Sequence, residues 1–307
     1  MFVRGLLAGL ALAGCAPADA PVSPPAPAQA ASPFTGAALA AACRDRDGWS
    51  DPAPPARVHA NVYLVGTCGI VALLVTSDAG HVLIDGATDR AAAGIADNIA
   101  RLGFRAGDVR ILLNGHEHND HAGGLAELRR LTGAQLRVRA PARAAIETGR
   151  AQPGDPQLGL NDPFPGTPVD GTVADGDVVR VGPIGLTAHA TPGHTPGSTS
   201  WSWRSCDGAR CLDFVYADSL TAYAADDYRY SDHPEVVAAF RAAIDRVAGL
   251  PCDVLITPHP GASDLYPRLA GSAPLVDRGA CARYADAARQ RLAARLATEA
   301  QAQARAR

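Results

Sequence analysis

The polarity pattern of the chain changes period repeatedly, and each change marks an element. Val58 to Val65 and Ile70 to Thr76 are β-branched, apolar runs, followed by His81 to Asp85 and a glycine. This predicts consecutive strands of an antiparallel meander. Arg90 to Leu102 has apolar residues at helical spacing, and Val109 to Leu113 reads as a short strand. Gly124 to Leu131 predicts a helix, Gln135 to Arg139 a strand and Ala142 to Arg150 a helix. The second half repeats the style, with strands near Val178 to Val181, Ile184 to Ala190, Thr199 to Trp203 and Leu212 to Ala217. A helix from Pro234 to Ala248, a strand at Val254 to Ile256 and a C-terminal helix from Gly279 to Arg307 follow. Two successive groups of strands with intervening helices predict an α/β protein in which two sheets pack face to face, helices outside. Between them, Ala151 to Asp170 holds five prolines and three glycines without periodicity. It is expected to be a long ordered loop, of the kind that usually serves function.

The N-terminal pattern belongs to none of these elements. Arg4 precedes an apolar stretch from Gly5 to Ala13 that is too short to span a bilayer. Leu12-Ala13-Gly14-Cys15 resembles the lipobox of bacterial lipoproteins, so residues 1–15 are expected to be an export signal with Cys15 as the lipidated residue. An ordinary cleaved signal ending near Ala28-Gln29-Ala30 is the alternative, and both readings send the protein out of the cytoplasm, to the periplasm. Residues 16–33 are dominated by Ala, Pro and Ser and are expected to form a flexible tether, leaving 34–307 as the folded domain.

Composition narrows the partners. Hydrophobic residues make up 47% of the chain, enough for a sizeable core, and a net charge of −3 offers no case for nucleic-acid binding. All 28 basic residues are arginines. With Cys15 set aside, six cysteines remain, an even count that suggests three disulfides from fifteen connectivities. Cys206 and Cys211 bracket the hairpin signal Asp207-Gly208, so strand pairing would join them. The remaining four are paired as Cys43–Cys68 and Cys252–Cys281. Zinc binding by cysteines is the weaker reading, because no C-x-x-C pair is present.

The chemistry is concentrated in Asn114-Gly115-His116-Glu117-His118-Asn119-Asp120-His121, directly after the strand Val109 to Leu113. Four ligand-type residues within six positions cannot all face one metal. Alternation puts His116 and His118 on one side, while Asp120 and His121 turn toward a neighbouring position. Two more histidines stand in rigid Pro/Gly turns at strand ends: His194 in Thr191-Pro192-Gly193-His194 and His259 in Thr257-Pro258-His259-Pro260. An imidazole-rich set of this kind suits zinc. His59, His81, His189 and His233 lack such settings and are expected to be structural or surface residues.

H-x-H-x-D-H with two later histidines resembles the metallo-β-lactamase superfamily. The resemblance implies an αββα four-layer sandwich and two Zn2+ per chain: the first on His116, His118 and His194, the second on Asp120, His121 and His259. Asp85 resembles the family's buried structural aspartate. Within the family, the stretch Asp218-Ser219-Leu220-Thr221 looks like subclass B3 β-lactamases, which bind the substrate carboxylate with hydroxyls, here Ser219 and Thr221. A chain without lysine cannot use the lysine anchor of subclass B1. Asp218 leaves a second version open, since glyoxalase-like members bridge their metals with an aspartate near this point. The resemblance thus implies hydrolysis of β-lactam antibiotics (penicillins, cephalosporins, carbapenems) by water activated between the metals and oriented by Asp120, in a protein that is by default monomeric. Gln157 and Trp49 are candidates for the cleft walls, Trp49 being equally readable as a core-edge aromatic. An exported lactonase or thioesterase on the same site, and a metal-carrying lipoprotein without turnover, are the rival readings.

Overall fold

The computed structural model describes residues 1–2 and 34–306. The expected signal, Cys15 and the tether lie outside the described residues. The compact unit Pro33–Arg307 is built on two sheets. The first follows chain order: β1 (Ala56–His59), β2 (Val62–Leu64), β3 (Leu73–Val75), β4 (His81–Ile84), β5 (Val109–Leu113), β6 (Gln135–Arg139) and β7 (Gly171–Val173). Strands β1 to β4 form an antiparallel meander, and β4 to β7 run parallel. Helices α1 (Gly36–Ala42), α2 (Ala92–Arg101), α3 (Asn119–Ala122), α4 (Leu125–Thr132) and α5 (Arg143–Thr148) belong to this half. The second sheet has the order β12-β11-β10-β9-β8, from β8 (Val178–Val181), β9 (Ile184–Ala190), β10 (Thr199–Asp207), β11 (Arg210–Tyr216) and β12 (Val254–Ile256). Helices α6 (Pro234–Ala248), α7 (Leu265–Leu269) and α8 (Ala280–Arg305) complete the chain.

Period-two alternation assigns each strand residue to a layer. Leu73, Val75, Ile84 and Leu113 face the second sheet and pack with Trp201, Phe214, Tyr216 and Ile256. Their neighbours Leu74, Leu83 and Leu112 face the other way, onto Ile95 and Ile99 of α2 and Leu125 and Leu128 of α4. On the far side, Val215 and Leu255 meet Phe240 and Ile244 of α6 and Tyr284 and Leu292 of α8. Both faces of the central strands are therefore buried, which is why they read as continuous apolar runs and not as alternating ones. Burying one such Leu or Ile side chain stabilises the fold by roughly 1.5–3 kcal/mol. The result is the four-layer αββα sandwich.

Several boundaries differ from expectation for local reasons. Val58 to Val65 is two strands, because Ala60 takes a positive φ of 43° and Asn61 turns the chain, donating from its amide to the Thr76 carbonyl at 2.7 Å. Only Leu73–Val75 of the next run is strand, since the backbone N–H of Val71 is drawn 2.8 Å to the carbonyl of Pro258. That contact braces the turn carrying His259 against the meander. The β10–β11 turn is Gly208-Ala209, one residue later than Asp207-Gly208, and Asp207 pairs with Arg210. Cys206 still faces Cys211 across the ladder. Disulfides join Cys43–Cys68, Cys206–Cys211 and Cys252–Cys281. The short elements α1, β7 and α7 carry too little periodicity to be read in advance.

Candidate metal centre

The parallel strand β5 ends at Leu113, and the chain then crosses the top of the sheet before entering α3, so residues 114–121 lie at the carboxyl end of the strands. His194 arrives from the turn after β9 and His259 from the turn after β12. Glycine makes the first of these turns fit. Gly193 has φ 145°, and a Cβ there would come within 2.2 Å of the Phe240 ring. The structure brings all six expected residues together. One ligand atom each from His116, His118 and His194, and likewise from His116, Asp120 and His121, lie within 4.8 Å of one another. His259 joins through Asp120, whose Oδ2 is 3.2 Å from His259 Nε2 and 3.1 Å from His121 Nε2. His189 stays apart, its Nε2 2.7 Å from the Ser202 hydroxyl. His59 stacks on Phe214, His81 packs edge-on to Phe104 and His233 stacks on Tyr228.

Each of four imidazoles is held by the nitrogen that it does not need for a metal, a device that fixes ring orientation and tautomer. His116 Nδ1 is 2.8 Å from Asp218 Oδ1 and His121 Nδ1 is 3.0 Å from Asp85 Oδ2. His118 Nε2 is 3.1 Å from Asp155 Oδ2. His194 Nδ1 is 2.9 Å from the Thr221 hydroxyl and 3.2 Å from its carbonyl. Asp218 therefore engages the Nδ1 of His116 and is not one of the clustered ligand-type residues. Asp85 is the hub of this support, for it also accepts from the Gly115 backbone N–H at 2.6 Å and from the Tyr216 hydroxyl.

Glu117, between two of the ligand histidines, turns inward. Its Oε2 accepts from the Thr195 hydroxyl at 2.8 Å and its Oε1 from the Gly197 backbone N–H at 2.8 Å. It thereby clasps the His116–His121 segment to the turn that carries His194. A Cβ at Gly197 would lie 2.5 Å from that carboxylate. Glu117 and Asp155 were not singled out from sequence. Asp155 had a usable signal, standing between glycine and proline two residues before Gln157.

The charge pattern suits cations. Burial holds the imidazoles of His116 and His194 well below their ordinary pKa, helped by the neighbouring histidines, so both rings are neutral donors. Burial opposes charge on Asp120 too, but the adjacent His121 and His259 outweigh it and keep the carboxyl well below the usual range. His121 is the counterpart. Burial disfavours its charge, yet Asp120 and Asp85 on either side push its pKa up to about 10. A proton and a metal ion thus compete for His121 Nε2. Metal uptake by the metal-free protein near pH 8 is expected to release this proton, with affinity rising about tenfold per pH unit up to about pH 10. The sign for folding is opposite: in the metal-free chain the proton stabilises the fold, fully below the ordinary pKa of 6.5, and this contribution is lost as pH rises through about 10. Calorimetry of metal binding in buffers of different ionisation enthalpy measures the released proton; uptake without release refutes the competition.

His118, Asp120, His194 and His259 form the floor of a cleft of about 480 Å³. Trp49, Gln157, Asn161, Ser219, Tyr223 and Arg291 line its walls, as does Thr221. Trp49 is 46% exposed with its ring 6.1 Å from that of His259, so it is a wall of the cleft and not a core-edge residue. The Cys43–Cys68 link closes the segment that carries it. Gln157 is buried, its amide nitrogen 3.4 Å from the His194 ring.

A model of the metallo-beta-lactamase superfamily matches residues 65–259. The metallo-β-lactamase MIM-1 of Novosphingobium pentaromativorans is 51% identical with a TM-score of 0.84, covering 86% of this chain and 98% of its own. MEM-A1, a subclass B3 metallo-β-lactamase isolated from a soil metagenome library, is 45% identical with a TM-score of 0.79, over 83% of this chain and 99% of its own. Among curated proteins, a hydroxyacylglutathione hydrolase of Methylobacterium nodulans is 36% identical over 103 residues, 34% of this chain and 31% of that protein. The chain spans between 31% and 56% of the length of the curated relatives that it matches. With the sandwich and the His/Asp cluster in place, the conclusion is direct: the chain belongs to the metallo-beta-lactamase superfamily of hydrolases. Its solved structural neighbours include the subclass B3 metallo-β-lactamases MEM-A1 and BJP-1.

Proposed function

We propose that this protein is a dizinc β-lactamase of the B3 type, which hydrolyses the cyclic amide of penicillins, cephalosporins and carbapenems. The observation that carries the reading is the convergence of five imidazoles and Asp120, four of these six residues lining the floor of an open cleft. Such a donor set fits zinc, with His116, His118 and His194 as one site and Asp120, His121 and His259 as the other. Zinc ions held there supply Lewis acidity and lower the pKa of water toward about 7. The chain's own residues do the rest. Asp120, kept anionic, accepts a hydrogen bond from the attacking water and sets its direction. Trp49 screens one side of the cleft from solvent, and Gln157 and Ser219 offer polar contacts to the bound ring. No residue needs to form an acyl intermediate.

A thioesterase reading has support in the hydroxyacylglutathione hydrolases among the relatives, but these match over about half their length or less. Asp218, engaged by His116 Nδ1, also falls outside both groups of clustered ligand atoms, where a bridging carboxylate would be expected. Turnover of a carbapenem, an acyl-lactone and an acyl-thioester by the purified protein separates the readings. Expected is hydrolysis of the carbapenem, loss of activity in a strong chelator, and recovery with zinc. Tight metal binding without turnover of any of the three would mark a metal carrier instead. We place the protein in the periplasm as a monomer, with Cys15 as lipid anchor; fractionation of cells expressing the full chain with labelled fatty acid tests the anchor, and sedimentation tests the monomer.

A further inference from the structure

The walls of the metal cleft contain a single guanidinium among the described residues, that of Arg291. It stands on α8, where its nearest arginines are committed: Arg283 pairs with Asp277, Arg289 with Asp245 and Asp286, and Arg295 with Glu299. Arg291 has no carboxylate within 4.0 Å among the described residues. It donates one long hydrogen bond, Nη2 to the Leu220 carbonyl at 3.4 Å, which sets it beside Ser219. A guanidinium carries five N–H donors, so one weak backbone bond leaves most of the fork available to a ligand.

The hydroxyls expected to bind the substrate's acid group are not equally available. Thr221 lines the cleft, but its hydroxyl lies 2.9 Å from His194 Nδ1 and its carbonyl 3.2 Å from the same nitrogen. It orients a ligand histidine. That leaves the Ser219 hydroxyl alone, a neutral group, to compensate a carboxylate being desolvated in the cleft. The floor cannot do this without competing with Asp120 for the same cations.

We infer that Arg291 is the anchor for the substrate's carboxylate, binding it together with the Ser219 hydroxyl and so setting the preference for anionic β-lactams. This rests on the β-lactamase reading above. The missing lysine and the free arginine are then one observation: the charge that holds the acid group is supplied from α8, and the Cys252–Cys281 link at the start of that helix ties it to the strand β12 side of the site.

The test compares a cephalosporin acid with its neutral methyl ester, using the zinc-loaded wild-type protein and the variants Arg291→Gln and Arg291→Lys. Charge-assisted hydrogen bonds of this kind make the ratio of kcat/KM for acid over ester fall by about ten- to a hundredfold in Arg291→Gln, mainly through KM, with part of the ratio kept in Arg291→Lys. In the wild type the ratio also falls as salt is raised. Equilibrium binding of the hydrolysed acid, measured by calorimetry, should weaken in parallel, while metal content stays at the wild-type value. An unchanged acid-to-ester ratio in Arg291→Gln overturns the anchor and leaves the β-lactamase reading standing. Failure of the wild type to open either compound overturns that reading, and the anchor with it.

Discussion

Replacement of Asp120 by alanine is expected to lower kcat/KM for β-lactam hydrolysis by at least about a thousandfold. Asp120 is the one carboxylate among the six clustered residues, and its Oδ2 touches two of the imidazoles, those of His121 and His259. Removing it deletes an anionic donor of one metal site and the acceptor that directs the attacking water. His121 would remain in place, since Asp85 still holds it from behind at 3.0 Å. The loss should therefore appear as a lower kcat with the fold intact. Metal analysis of the variant should show mainly the Asp120–His121–His259 site depleted. Activity within about tenfold of wild type, with two metals still bound per chain, would remove Asp120 from the reaction.

Glu117→Ala should be nearly as damaging, though by a different route. The carboxylate accepts from the Thr195 hydroxyl and the Gly197 N–H deep in the protein; alanine leaves the Gly197 N–H buried without a partner and the Thr195 hydroxyl with only Ser198 Oγ at 3.0 Å. At about 1–3 kcal/mol for an orphaned buried donor, with a lost hydrogen bond at Thr195 besides, a stability loss of about 2–3 kcal/mol is expected in denaturant unfolding. Because the clasp positions the turn bearing His194, metal affinity at the His116–His118–His194 site should fall about ten- to a hundredfold. Glu117→Gln retains the shape and one acceptor, so it should lie between wild type and alanine in both measurements. Equal stability of the alanine variant and wild type would show that the donors find other partners and that the clasp holds nothing.

The ligand set was legible because its parts are local. His116, His118, Asp120 and His121 stand within six positions, and His194 and His259 each sit in a Pro/Gly turn that closes a readable strand. The layers were legible for the same reason, since the alternation within each strand reports which faces are buried. The Cys206–Cys211 link followed from hairpin pairing, a contact five residues apart.

What hides from such reading is the identity of partners that meet across the sandwich. Periodicity states that Asp218 follows a buried strand, yet it leaves open whether the carboxylate faces the metals or the back of His116, 102 positions away. Glu117 and Thr195 are 78 positions apart, and Asp155 meets His118 from a loop without any periodic signal. Arg291 sits on a helix whose pattern shows an exposed face but not that this face borders the cleft. Local physics writes each element and its buried side into the chain; which polar groups then meet depends on how two sheets and their helices stack, because only that stacking sets the distances over which a hydrogen bond or an ion pair can form.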